Sequence, residues 1–351
     1  MITSSDALVS ASRLSAALLA FALSIWAFGA RAQDASSSGT PTTTPSAPVA
    51  SASPTPPPTN PPPDQSTDTL VPDVHQGFVY RSITMAKYNP LGLSTWERIG
   101  YTKPLYAGTQ NILLQGSYVG AHVVGTGTPA YGRIGGRVDV QPLSILQLFA
   151  ACEFVGFFGT FDSIASFPNV AGDFSNKHQS ALGTAGLTYP TTEMVVTLEP
   201  VLQARVGPII FYSDTNFIYL DIALRPGDQT YYDLTLSVLA PRRGWVVTND
   251  TNLNWATKFG MQIGVRGSVV YSAFTSDQIG PGNNERAGEV TPVFSLGPTL
   301  TYVFSSHNTH FIEPTVFMVA QWWLRDPYRS GQETSEGLPY LDAGFSFRGE
   351  L

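Results

Sequence analysis

From Met194 to Tyr212 the chain alternates with almost no error. Met194, Val196, Leu198, Pro200, Leu202, Ala204, Val206, Pro208 and Ile210 take one set of positions, and Glu193, Thr197, Glu199, Gln203 and Arg205 take the other. A period of two is the repeat of a β-strand, whose successive side chains point to opposite faces of a sheet. The pattern returns in FIEPTVFMVAQWWL (Phe311–Leu324), where Ile312, Pro314, Val316, Met318, Ala320, Trp322 and Leu324 alternate with polar Glu313, Thr315 and Gln321. It returns again in LPYLDAGFSFRG, with Leu341, Ala343, Phe345 and Phe347 against Asp342, Ser346 and Arg348. Strands with one apolar and one polar face have two homes. In a soluble sandwich the apolar face looks inward at a core; in a closed cylinder within a membrane it looks outward at lipid, and the polar face lines the lumen.

Composition separates the two. Charged residues are 13% of the 351, against about 25% in ordinary soluble domains, so much of the surface is not built for water. The formal charge of −7 comes without any block of lysine or arginine, which removes the electrostatic footprint of a nucleic-acid partner. The single cysteine, Cys152, excludes an internal disulfide and a multi-thiolate metal site. It reads as a small apolar strand residue.

The N-terminus reads as an address. LSAALLAFALSIWAF follows Arg13, and Ala30-Arg31-Ala32 follows it, which fits a secretory leader with a small-x-small cleavage site. The apolar run is shorter than the roughly 20 residues that span a bilayer. Residues 1–32 are therefore expected to be a cleaved signal peptide. From Ala35 to Pro63 the chain is built mainly from Ser, Thr, Ala and Pro, with no charge before Asp64. Such a segment cannot bury enough apolar surface to offset the entropy of ordering. Residues 33–73 are expected to form a disordered, extended Pro-rich tether, and 74–351 the folded domain.

Within that domain the alternation predicts fourteen strands, at 76–88, 95–106, 110–124, 130–141, 144–157, 179–189, 192–212, 216–224, 229–240, 244–256, 260–275, 288–305, 309–325 and 338–349. Twelve or sixteen would keep the even number that closes an up-and-down barrel. The connections alternate in length. Short turns are expected at 107–109, 142–143, 190–191, 225–228, 257–259 and 306–308; the other side carries 158–178, 276–287 and 326–337. Aromatic residues gather near the predicted ends, as at Phe154, Phe157 and Phe158 or Trp322 and Trp323, where rings favour a membrane–water boundary.

A leader, amphipathic strands, asymmetric loops and a final amphipathic strand together make the chain resemble, at the level of class, the outer-membrane β-barrels of Gram-negative bacteria. The resemblance implies an all-β, transmembrane, antiparallel up-and-down barrel with both termini in the periplasm. It implies surroundings of outer-membrane lipid and lipopolysaccharide, and assembly by the barrel-assembly machinery. The Pro-rich tether would reach the cell wall or a periplasmic protein. One departure is the end, RGEL, where such barrels usually close on an aromatic residue.

With the apolar stripe on lipid, the other face is expected to line the lumen with Arg133, Arg137, Asp139, Glu153, Glu193, Glu199, Arg205, Asp221, Asp233, Arg266, Glu313, Asp342 and Arg348. Acids outnumber bases in that set, which predicts a mildly acidic, cation-favouring pore. The long loop Gly159–Lys177, carrying Asp162 and Asp173 as constriction candidates, is expected to fold over the mouth and narrow it. The function this favours is a porin-like channel or transporter for small solutes. A plugged barrel for structural or display purposes is one alternative. An outer-membrane hydrolase or acyltransferase is another, although His75, His122, His178, His307 and His310 sit in no catalytic motif. HNTH at 307–310 lacks an acidic third ligand nearby and reads as a polar turn, so neither metal nor cofactor is expected.

Overall fold

The computed structural model describes residues 74, 76–89, 92–158, 164–305, 309–327 and 338–351. The expected leader at 1–32 and tether at 33–73 lie outside the described residues, as do His75, Asp162 and His307.

Twelve antiparallel strands close into one barrel. In chain order they are β1 (Gly77–Tyr88), β2 (Gly92–Pro104), β3 (Tyr118–Gly127), β4 (Tyr131–Leu143), β5 (Leu146–Phe157), β7 (Thr191–Val206), β8 (Ile209–Ile222), β11 (Arg243–Ala256), β12 (Met261–Ala273), β13 (Val293–Val303), β14 (Ile312–Arg325) and β15 (Tyr340–Glu350). Closure joins β1 to β15, with Val79 opposite Glu350 and Tyr88 opposite Leu341. Three further strands, β6 (Ser166–Phe167), β9 (Thr230–Asp233) and β10 (Val238–Pro241), form a separate small sheet in the order β10-β9-β6. Among the described residues three helices accompany it: α1 (Asn176–Thr184), α2 (Ser276–Ile279) and α3 (Asn284–Val290).

The count of twelve corrects the fourteen expected, and two segments account for the difference. Residues 179–189, read as a strand, fall largely in α1, which Ser175 caps by accepting the His178 N–H at 3.2 Å. Residues 229–240, read as one barrel strand, fold back on themselves as the β9–β10 hairpin. A third boundary also moved. The stretch read as one strand over 192–212 turns at Gly207-Pro208, where Gly207 takes φ 58°, a conformation glycine adopts without steric cost. The turn exchanges the faces, so that Ile210 points inward and is 8% exposed.

The greasy face of the opening alternation looks outward. On β7, Met194, Leu198 and Leu202 are exposed while Val195 and Val201 are buried. On β14, Val316, Met318, Trp322 and Leu324 are exposed while Val319 and Gln321 are buried. Around the barrel the exposed set continues through Ile99, Val123, Val138, Leu148, Val265 and Leu300. Rings border this belt: Phe78, Tyr101, Trp255 and Tyr302 lie toward the end where the described chain starts and finishes, and Tyr88, Phe154 and Trp245 toward the other. An apolar band between aromatic girdles on a sheet without free edges is the transmembrane barrel solution. Met318→Arg puts a guanidinium in the middle of that band and is expected to cost about 2–4 kcal/mol, measured by urea unfolding of the protein in lipid vesicles. A cost near zero would place the belt in water.

The strand prolines fit the ladder where it is open. Pairing of β7 with β8 is interrupted between Leu198 and Val201, across Pro200. Pairing of β13 with β14 is interrupted between Leu296 and Thr299, across Pro298. Pro314 lies in a register shift of β14 against β15 between Ile312 and Thr315, beside Glu313 at φ 49°. A proline without an N–H is tolerated where no partner asks for one.

Connections at the Leu351 end of the barrel are 105–117, 144–145, 207–208, 257–260 and 304–311; at the opposite end, 158–190, 223–242 and 274–292 carry the small sheet and the helices. Turns 190–191 and 225–228, expected at the short-turn end, therefore sit at the other.

Candidate functional site

The insertions at one end form a folded cap with its own core. Ala165, Phe167, Val170, Phe174, Tyr232, Leu239 and Val290 pack together. The Tyr232 N–H donates to Ala165 O at 3.0 Å, stitching β9 to the segment before β6. A second cluster joins this cap to one side of the barrel wall. Val155 and Phe157 of β5, Val195 of β7, Leu220 and Ile222 of β8 and Val246 of β11 meet Ile164, Tyr231 and Ala240.

One buried polar contact fixes the seam. The Tyr231 hydroxyl lies 2.5 Å from Glu193 Oε1 and 3.1 Å from Asp233 Oδ2. A phenol has one hydrogen, and the shorter distance gives it to Glu193. Burial, with the Asp233 and Glu193 carboxylates beside it, pushes the Tyr231 phenol well above its usual range, so it stays a donor. Asp233 is held by its other oxygen, which accepts from Thr235 N and Thr235 Oγ1 at 2.7 Å each. On the far side Ser272 Oγ of β12 donates to Leu239 O at 2.7 Å.

Below the cap the inward faces carry charge in a defined register. Asp139 of β4 is the acid on which two arginines converge. It accepts from Arg98 Nη1 at 2.6 Å and Arg137 Nε at 2.8 Å, and His122 Nε2 lies 3.2 Å away. Its side chain is fully buried, while those of Arg98 and Arg137 are 16% and 14% exposed. Arg137 also donates to Glu199 at 3.1 Å and stacks over the Phe149 ring at 3.8 Å. Two glycines make the slot for the imidazole: a Cβ on Gly100 would lie 2.4 Å from His122 Nδ1, and one on Gly120 2.6 Å from Nε2. Further round, Arg266 pairs with Asp250, which also accepts from Ser268. Asp342 accepts from the Tyr340 hydroxyl at 2.9 Å.

The residues expected to line the lumen divide into groups. Arg137, Asp139 and Glu199 are brought together as one network, and Arg133 bonds Glu153 beside it on the wall. Glu193 and Asp233 meet at the cap seam, Asp233 from the small sheet rather than from a barrel strand. Arg348 pairs with Glu313 at 3.1 Å. Arg205 sits at the β7–β8 turn, its Nε donating to Gly207 O at 3.0 Å. Asp221 differs from expectation. It pairs at 2.7 Å with Arg243, whose side chain is 67% exposed, on the outer face of β8, because the turn at Gly207 reverses which positions point inward. Asp173 is exposed, and its carboxylate accepts the Ser175 N–H at 2.8 Å ahead of α1, so its visible role is in the turn. The later part of its loop, through Ile164, Phe167 and Val170, is buried in the cap.

A cavity of about 700 Å³ runs down the barrel on the side the cap leaves open. All the inward side chains of β1 border it, from Val79 beside the Leu351 end to Lys87 at the other. Its basic groups are Arg81, Lys87, Arg98, Arg137, Arg266 and Arg348. Its carboxylates are Glu199, Glu313 and Glu350. The side chains that touch the cavity are mostly basic, with Asp139 and Asp250 standing behind Arg98, Arg137 and Arg266, whereas the sequence set has more acids than bases. Asp221 is outside, Glu193, Glu153 and Asp233 are on the capped side, and Arg81, Lys87 and Arg98 lie on strands too irregular in pattern for their facing to be read. Among the described residues no group of three or more His, Cys, Asp or Glu side chains is placed to hold a metal ion.

No family model and no curated protein matches this chain. Solved structures of low similarity include the NanC porin, at 8% identity and TM-score 0.34 over 78% of this chain and 100% of that one. The β domain of the Bordetella autotransporter BrkA is 11% identical with TM-score 0.37, over 78% and 99%. The outer-membrane expressed OmpT of Vibrio cholerae is 7% identical with TM-score 0.32, over 78% and 96%. The class of transmembrane β-barrel rests on this chain's own strand order and outward belt, not on those likenesses.

Proposed function

We propose that the chain is an outer-membrane channel or transporter for small solutes, a barrel whose mouth is narrowed by its own folded insertion. The observation that supports this most is continuity. One cavity borders the inward face of β1 along its whole length, while the cap packs against β5, β7, β8 and β11 on the opposite side. A barrel of about eight strands can be filled by side chains alone, and wider ones leave a lumen unless something plugs it. Here twelve strands are partly plugged, and the remainder is lined by charge. Water belongs beside such groups, since burying unpaired charge is costly.

On this reading the end holding Gly77 and Leu351 faces the periplasm, the cap faces outward, and residues 33–73 tether the barrel on the periplasmic side. Reconstitution of the mature protein in planar bilayers tests it. Discrete current steps are the expected result. A preparation that is folded by its heat-dependent electrophoretic mobility yet silent at all voltages and in all salts overturns the reading.

A further inference from the structure

Three arginines stand side by side on adjacent strands. Arg81 of β1 is opposite Arg348 of β15 on one side and Arg98 of β2 on the other. All three border the cavity. Like charges directly opposite one another destabilise a sheet, and the flanking two are compensated: Arg348 by Glu313 at 3.1 Å and Arg98 by Asp139 at 2.6 Å. Arg81 is not. Among the described residues it makes no hydrogen bond and no ion pair, and its side chain is exposed to the cavity.

An uncompensated guanidinium between two others costs stability and gives the fold nothing in return. Local costs of this kind collect where a ligand supplies the missing partner. We propose that Arg81 is the binding residue for a small organic carboxylate in the channel, an assignment that rests on the channel reading for its biological setting. The chemistry follows from the fork. A guanidinium presents parallel N–H groups that match a carboxylate bidentately, and Arg98 and Arg348 add positive potential on both sides. The body of the ligand is addressed by rings. Trp96, two residues from Arg98 on the same inward face, and Phe317 and Tyr212 from other strands border the same space. Together they favour a carboxylate attached to a flat or apolar body over a bare inorganic ion.

The test separates binding from transport. Isothermal titration of benzoate into the detergent-solubilised, folded mature protein is expected to show saturable binding, roughly tenfold or more weaker in Arg81→Gln, as loss of a charge-assisted bidentate pair implies. Arg81→Lys, which keeps the charge and loses the fork, is expected to fall between. Inorganic phosphate is expected to bind more weakly than benzoate. The Arg81→Gln barrel should fold at least as well as the wild type, because a repulsion has been removed. In bilayers under a potassium chloride gradient, the same substitution is expected to move the reversal potential toward cation preference. No saturable benzoate binding, or equal binding by wild type and Arg81→Gln, overturns the site even if currents are seen. Phosphate binding tighter than benzoate overturns the organic class. Benzoate binding lost in Arg81→Gln in a protein that carries no current upholds the site and defeats the channel reading instead.

Discussion

Replacing Thr230–Pro241 with a Gly-Gly link is expected to raise single-channel conductance severalfold and to leave the barrel folded. The excision is local because the ends of the hairpin already meet: the Arg242 N–H donates to Gln229 O at 2.8 Å. What it removes is substantial. Tyr231, Leu239 and Ala240 are fully buried between the cap and the wall, and without them Val155, Val195 and Leu220 face an open lumen. The barrel ladder does not depend on the hairpin, since β9 and β10 pair only with one another and with β6. The cost falls on the cap, which loses Tyr232 and Leu239 from its core and the partner of β6, and on Glu193 and Ser272, which lose the Tyr231 hydroxyl and the Leu239 carbonyl but gain water. Conductance unchanged from wild type would mean that the passage is limited elsewhere, and the cap would then have no part in gating or narrowing.

The second large effect belongs to Asp139. Asp139→Asn keeps the shape and removes the charge that Arg98, Arg137 and His122 converge on. Breaking a buried ion pair by deleting one partner costs about 3–5 kcal/mol, because the other charge is left uncompensated. We expect about 3 kcal/mol, the lower end of that range, since Arg137 keeps Glu199 and both guanidiniums touch the cavity. Urea unfolding in vesicles measures it. The same variant frees Arg98 beside Arg81, so anion preference in bilayers should rise while stability falls. A loss under about 1 kcal/mol is what a water-screened pair would give, and it would show that lumen water reaches Asp139 despite its complete burial.

How far the alternation could be trusted depended on the segment. It was reliable on β7, β14 and β15 for the outward face, where Met194, Leu198, Leu202, Val316, Met318, Trp322 and Leu324 are exposed, while the inward face mixes polar residues with Val195, Val201, Phe317 and Val319. It failed on 229–240 because a strand that pairs within a cap and one that pairs around a barrel have the same local preference. It failed on 179–189 because a short helix with few apolar residues leaves no strong signal of its own period. The turn at Gly207-Pro208 hid inside a run of apolar even positions, and Asp221 was assigned to the wrong face as a result. Arg81 and Arg98 carry no such signal. Each is one ordinary arginine on an irregular strand, and neither has a motif.

By itself, then, the amino-acid order determined the side of each regular strand that repels water, the scarcity of surface charge, and the fact that such strands must close on themselves to satisfy their backbone in lipid. Only the tertiary structure decided the number of strands, the insertion packed against β5, β7, β8 and β11, and the row of arginines that borders the opposite side. The physical reason is that facing is a local property with a period of two residues, whereas pairing register joins residues far apart in the chain. Arg81 meets Arg348 across 267 residues of sequence, and no pattern read along one strand contains that encounter.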